Sequence, residues 1–124
     1  MKKERFEEGE TIFSEGEKSL LCYKILEGKV EIILNDPANP GLAHGKTVAF
    51  CGPGEIIGEM GVFGDAPRSA SAVAVEPTVC KSFSADEIIS LLEDEPREAI
   101  AYIRMLIHRI RHSNSQAFFP SVRK

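Results

Sequence analysis

The chain has 124 residues, 43% of them hydrophobic and 27% charged, with 10 Gly and 7 Pro, close to the average soluble globular domain and outside the disordered, collagen-like and knottin-like classes. At this length folding buries roughly two-thirds of the surface that the unfolded chain exposes, so a core forms without disulfide or metal staples. The formal net charge is −4, no run approaches the roughly 20 apolar residues that span a bilayer, and Met1-Lys-Lys-Glu-Arg5 is no signal-peptide start, which together place the chain in the cytoplasm.

In chain order, short alternating or apolar runs predict β-strands at Thr11 to Phe13, Leu20 to Leu26, Lys29 to Leu34, Lys46 to Cys51, Ser69 to Val75 and Thr78 to Phe83. Turn-forming punctuation separates them: Glu8-Gly9-Glu10, Glu15-Gly16-Glu17, Glu27-Gly28, Asp36 to Gly41 and Cys51-Gly-Pro-Gly54. Connections this short predict antiparallel neighbours, because a parallel crossover needs a dozen or more residues. Beyond Phe83 the pattern turns helical. Ser84-Ala-Asp-Glu87 fits a capping box, and Pro96 suits the first turn of a second helix. The expected fold is therefore mainly β with C-terminal helices. An antiparallel barrel or sandwich spans residues 3–83, closed by helices over 84–94 and 96–114, in one domain covering 1–124.

The last helix carries an apolar stripe of Ile100, Ile103, Leu106, Ile107 and Ile110, widened by Ala99, Tyr102 and Met105 beyond what one contact surface needs. Residues 1–96 hold 9 Lys and Arg against 18 Asp and Glu, whereas residues 97–124 hold 6 against Glu98 alone. That basic tail fits either a nucleic-acid contact or a solvated helix whose positive charges suit its C-terminal dipole.

Several chemistries fall away. Cys22, Cys51 and Cys80 are odd in number, far apart and set among apolar residues, so they predict buried free thiols rather than a disulfide or zinc framework. His108 and His112 stand one helical turn apart without a third ligand at metal spacing, and His44 falls in a loop. Gly52-Pro-Gly54-Glu-Ile-Ile-Gly58 misplaces the third glycine of a dinucleotide fingerprint and lacks a βαβ unit. No nucleophile elbow or carboxylate pair is present, so the sequence is read as non-enzymatic.

Residues 58–72 concentrate the features of an anion site. Gly58, Gly61 and Gly64 let backbone N–H groups approach a ligand. Glu59-Met60-Gly61-Val62-Phe63 can form a helical turn with free N-terminal donors. Arg68 supplies a fixed, always-charged fork, and Ser69 and Ala70 add donors beside it. Glu59 suits sugar hydroxyls or the orientation of Arg68. These residues alone fit both a sugar-phosphate loop and a Glu–Arg pair that merely fixes the loop.

Ile57-Gly-Glu-Met-Gly-Val-Phe-Gly-Asp-Ala-Pro-Arg-Ser-Ala70 closely resembles the phosphate-binding cassette of the cyclic nucleotide-binding domain family, and the resemblance runs from about residue 5 to 115. It implies a jelly-roll barrel, the double-stranded β-helix, with Gly16, Gly28 and Gly58 as turn glycines and with hinge and lid helices after Phe83. It implies further that Glu59 and the Gly58 backbone hold the ribose 2′-hydroxyl and that Arg68 and Ser69 hold the cyclic phosphate. By spacing from Pro96, Ser113 and Asn114 stand where the lid of the family's bacterial activators meets the base, and the matching helix forms their dimer seam. The ligand expected is cAMP more than cGMP, in a sensor signalling through its last helix to a second copy or another protein. The chain starts almost on the first strand and stops at Lys124 without a DNA-binding, kinase or channel domain. The alternative is a ligand-independent interaction or dimerisation domain that keeps the barrel.

Overall fold

The computed structural model describes the backbone of residues 1–35 and 45–114 and the side chains of residues 1–35 and 45–111. Among the described residues eight strands come in order: β1 (Lys2–Phe6), β2 (Thr11–Phe13), β3 (Cys22–Glu27), β4 (Val30–Leu34), β5 (Lys46–Cys51), β6 (Ile56–Ile57), β7 (Ser71–Ala74) and β8 (Thr78–Phe83). Helix α1 (Glu59–Gly64) interrupts them between β6 and β7, and α2 (Ala85–Asp94) and α3 (Pro96–Asn114) follow. The chain divides into two compact units, Met1–Ile89 and Ser90–Lys124.

The strands form two four-stranded antiparallel sheets, ordered β1-β8-β3-β6 and β2-β7-β4-β5. Among the described residues no strand of one sheet pairs with a strand of the other. The expectation of antiparallel strands followed by helices holds, whereas closure of a barrel does not follow from this pairing. Among the described strands only β4 and β5 are sequence neighbours that pair. The others pair across long separations, as in Lys2 with Ser82 and Thr11 with Val73, because the chain passes from one sheet to the other at most of its turns.

Every strand contributes to one core, with Phe6, Ile12, Phe13, Tyr23, Ile25, Val30, Cys51, Ile57, Ala72, Ala74 and Cys80 as its cluster. All three cysteines are buried and none is in a disulfide; burial first and the Glu59 charge second lift Cys22 to about 12, and burial lifts Cys80 to about 11. Gly28 (φ 98°) makes the β3–β4 turn, and a Cβ there would stand 2.4 Å from Thr78 Oγ1 and 2.5 Å from the Pro77 carbonyl, so only glycine fits. At the start of α2, Ser84 N–H donates to Glu87 Oε1 at 2.8 Å and Glu87 N–H to Ser84 Oγ at 3.2 Å, the capping box read from the sequence. Glu87 also accepts from the Met1 ammonium. That bond and the Ser84 N–H hold its carboxyl below the ordinary range.

On α3, Ile100, Ile103, Ile107 and Ile110 are all about half exposed, at helical spacing. No described helix is long and apolar enough to cross a membrane.

Candidate functional site

The site is built where β6 runs into α1 and where the segment after α1 returns toward β7. Gly58, at φ 79° and ψ 4°, is the N-cap of α1 and offers no side-chain cap, so the first-turn N–H groups of the helix are not satisfied from that position. Asp65, at φ 51°, ends the helix, and Ala66 N–H donates to the Gly61 carbonyl at 3.0 Å. Six residues of helix are thus bracketed by two left-handed residues, which turns the chain sharply and brings Arg68 back beneath Gly58.

Arg68 is the centre of the arrangement. Its backbone is clamped by the β2–β3 loop: Gly16 N–H donates to the Arg68 carbonyl at 2.8 Å, and Arg68 N–H donates to the Glu17 carbonyl at 2.8 Å. Gly16 takes φ 87°, and Ser14 N–H donates to Glu17 Oε1 at 2.5 Å, which fixes the loop that does the clamping. The Arg68 side chain is only 6% exposed. Its Nη1 donates to the Gly58 carbonyl at 2.9 Å and its Nη2 to the Leu21 carbonyl at 2.5 Å. The guanidinium carbon lies 4.1 Å from the centre of the Phe13 ring. Arg68 Nε is buried and has no hydrogen-bond partner among the described residues. Burial pulls the guanidinium below its ordinary pKa, with Tyr23, Cys22 and Glu17 opposing. An arginine stays charged under such a shift.

Packing around Gly58 is tight. A Cβ there would stand 2.6 Å from Arg68 Nη1 and 3.1 Å from Phe13 Cε2. Gly61 is comparably confined, with Ser19 Oγ at 2.1 Å and the Ala66 carbonyl at 2.8 Å from such an atom. Ser19 Oγ is itself buried without a partner among the described residues. Glu59 is 1% exposed at the start of α1, and its charge is near enough to raise the Cys22 thiol. The structure therefore brings the Gly58 backbone and the Arg68 guanidinium together, with Glu59 following Gly58 in the chain and close to Cys22. Met60 points outward at 69% exposure, Gly61 packs on Ser19, Ser69 is exposed and Ala70 is half-buried.

The Ser113 and Asn114 side chains lie outside the described residues, as do His44 and the His112 side chain. No cluster of three or more metal-binding side chains occurs among the described residues. Sequence reasoning missed Phe13, Leu21 and Ser19. The apolar alternation marked Phe13 as core, but nothing linear joins it to Arg68, and Leu21 takes part only through its carbonyl.

The sequence model of the cyclic nucleotide-binding domain matches residues 3–95. The CRP-like cAMP-activated global transcriptional regulator of Mycobacterium tuberculosis is 30% identical over 110 residues, covering 89% of this chain and 47% of that protein. The cyclic AMP receptor protein of Thermus thermophilus is 30% identical over 109 residues, 88% of this chain and 49% of its own. The crystal structure of Thermus thermophilus catabolite activator protein superposes with a TM-score of 0.76 at 29% identity, covering 97% of this chain and 55% of that one. The chain thus spans about half the length of the curated relatives it matches.

Proposed function

Since the chain belongs to the cyclic nucleotide-binding domain family, we propose that residues 1–124 act as one regulatory module, not an enzyme, that binds a cyclic purine mononucleotide through residues 57–70. The observation that carries this reading is the buried Arg68 guanidinium, charged, held beneath the start of α1 and keeping an Nε donor that no described protein group satisfies. A buried donor without an acceptor costs about 1–3 kcal/mol, and a phosphate oxygen is the acceptor that a guanidinium fits best.

In this reading Arg68 and the exposed Ser69 take the cyclic phosphate, with the Ala70 backbone beside them. The Gly58 backbone and Glu59 take the ribose 2′-hydroxyl, and the N–H groups around Met60 and Gly61 complete the anion cradle. Preference for cAMP over cGMP rests on the two relatives, each named for cAMP. The helix α3 serves as lid and output, with Ser113 and Asn114 meeting the base and its isoleucine face meeting a second copy of the chain. Such a lid signals if it contacts the nucleotide in one conformation only, because a ligand shifts an equilibrium by its differential affinity for the two states.

One observation favours the rival, ligand-independent reading. Arg68 already donates from both terminal nitrogens to backbone carbonyls, as a purely structural arginine does. Calorimetric titration with cAMP and cGMP, on wild type and Arg68→Ala, separates the two. The sensor reading expects saturable binding, tighter for cAMP, and a loss on the order of ten- to a hundredfold in the variant, from a charged hydrogen bond of about 1.5–3 kcal/mol. Arg68→Lys recovers part of it at most, since the fork is gone. No binding of either nucleotide by a folded wild type refutes the sensor reading. Wild-type affinity in Arg68→Ala removes the phosphate role.

A further inference from the structure

We propose that Phe13 is a positioning residue for the nucleotide site, its ring face holding the Arg68 guanidinium in the place from which it meets a cyclic phosphate. The proposal rests on the reading of residues 57–70 as a nucleotide cassette.

Four observations carry it. The guanidinium carbon stands 4.1 Å from the Phe13 ring centre, face contact between a cation and a π system, and both side chains are buried. The ring is also immobilised from behind. Phe13 stacks on Tyr23 with centroids 6.1 Å apart and planes 25° apart, and Tyr23 meets Phe6 edge-on at 6.2 Å and 80°. Three aromatic side chains from β2, β3 and β1 thus form a ladder through the core, so Phe13 cannot swing away without disturbing the other two.

The register of β2 against β7 shifts between Thr11 and Phe13, since Thr11 pairs with Val73 but Phe13 with Ala72. Irregularities of this kind re-aim a side chain and recur beside functional sites. Finally, Arg68 Nε has no hydrogen-bond acceptor among the described residues, and the negative face of the ring is an electron-rich neighbour for the group that bears it.

The consequence concerns how Arg68 changes partners. Its Nη1 and Nη2 donors are held by the Gly58 and Leu21 carbonyls, so a phosphate that takes more than the unpartnered Nε must compete for them. Attraction between a cation and a ring face depends little on rotation about the ring normal. The stack therefore persists while the hydrogen bonds are reassigned. Without the ring, solvated outward rotamers of Arg68 compete with the buried one, and apparent affinity falls in proportion to the fraction of molecules that remain competent.

The test compares wild type, Phe13→Leu, Phe13→Met and Phe13→Tyr by cAMP calorimetry and by the NMR signal of Arg68 Nε–H. In wild type the signal is expected to be shifted upfield by the ring current and slow to exchange. Leu and Met should abolish the shift and weaken cAMP binding on the order of tenfold, whereas Tyr keeps a ring and should preserve both. On an Arg68→Ala background, Phe13→Leu should leave the residual affinity unchanged.

Undiminished cAMP affinity in folded Phe13→Leu or Phe13→Met overturns the proposal. An unshifted, freely exchanging Nε–H in wild type overturns it as well, a readout that survives if Phe13→Leu fails to fold. Absence of cyclic nucleotide binding by wild type with a shifted Nε–H refutes the cassette reading instead, while the ring's hold on Arg68 stands.

Discussion

Replacing Gly58 by alanine tests how tightly the backbone above Arg68 is specified. At φ 79° an L-residue pays about 1–2 kcal/mol, offset by about 0.4–1 kcal/mol because alanine narrows the unfolded ensemble, which leaves about 1 kcal/mol. The added Cβ would also stand 2.6 Å from Arg68 Nη1, inside any real contact. The guanidinium is the flexible end of its side chain and should yield, losing the 2.9 Å bond from Nη1 to the Gly58 carbonyl. A charge-assisted bond of this kind contributes about 1.5–3 kcal/mol, so Gly58→Ala should cost roughly 2.5–4 kcal/mol in all. With Arg68→Ala already in place the guanidinium no longer has to yield and only the Phe13 ring edge, 3.1 Å from the added Cβ, must give by a small amount, so the same substitution should cost nearer to about 1 kcal/mol. Urea unfolding of the four proteins of this cycle, followed by far-UV circular dichroism, measures the difference as a coupling energy. Additivity within about 0.5 kcal/mol would refute the idea that Gly58 is glycine in order to seat Arg68.

Three further outcomes are expected. Wild type should bind 2′-deoxy-cAMP more weakly than cAMP by about 1.5–3 kcal/mol, because the hydrogen bond from the ribose hydroxyl to the Glu59 carboxylate would be lost; equal affinities measured by calorimetry would assign Glu59 a structural task. The isoleucine face of α3, exposed at Ile100, Ile103, Ile107 and Ile110, should support self-association, and sedimentation that finds only monomer at high micromolar concentration, with and without nucleotide, counts against it. Hydrogen exchange over residues 97–116 should slow when cAMP is added if α3 closes as a lid, and unaltered cAMP over cGMP preference in Ser113→Ala/Asn114→Ala would discard the base contacts while sparing the cassette.

What the sequence revealed, and what it hid, divides along the physical range of each signal. Lys46–Cys51 and Thr78–Phe83 were legible to the residue, because apolar alternation and bounding turns are local. So was the Ser84 to Glu87 box, which needs only four consecutive residues. Strand β1, Lys2–Phe6, was not predicted, since four of its five residues are charged and it is held by pairing to β8 rather than by its own pattern. The two residues of β6 are too few to show a period. Short turns correctly implied antiparallel strands but suggested the wrong neighbours, as a short turn can equally carry the chain to the opposite sheet. In the site, Gly58 and Arg68 were readable from one motif. Phe13 and the Leu21 carbonyl were not, because a ring 55 positions away and a backbone oxygen leave no linear trace beside the residue that they hold.

The position of β8 between β1 and β3 also dictates the order of assembly. Lys2 must wait for Ser82, and Cys22 for Phe83, so two strands of the first sheet leave the ribosome long before the strand that joins them. Sheets built from pairings this distant along the chain have high contact order and fold on the millisecond-to-second scale rather than in microseconds. A nascent chain halted before Thr78 would carry β1 and β3 with open edges, a state prone to wrong pairing and aggregation. The first sheet cannot be completed before residues 78–83 are released, and synonymous changes that slow translation just upstream should lower the yield of folded protein without altering a single side chain.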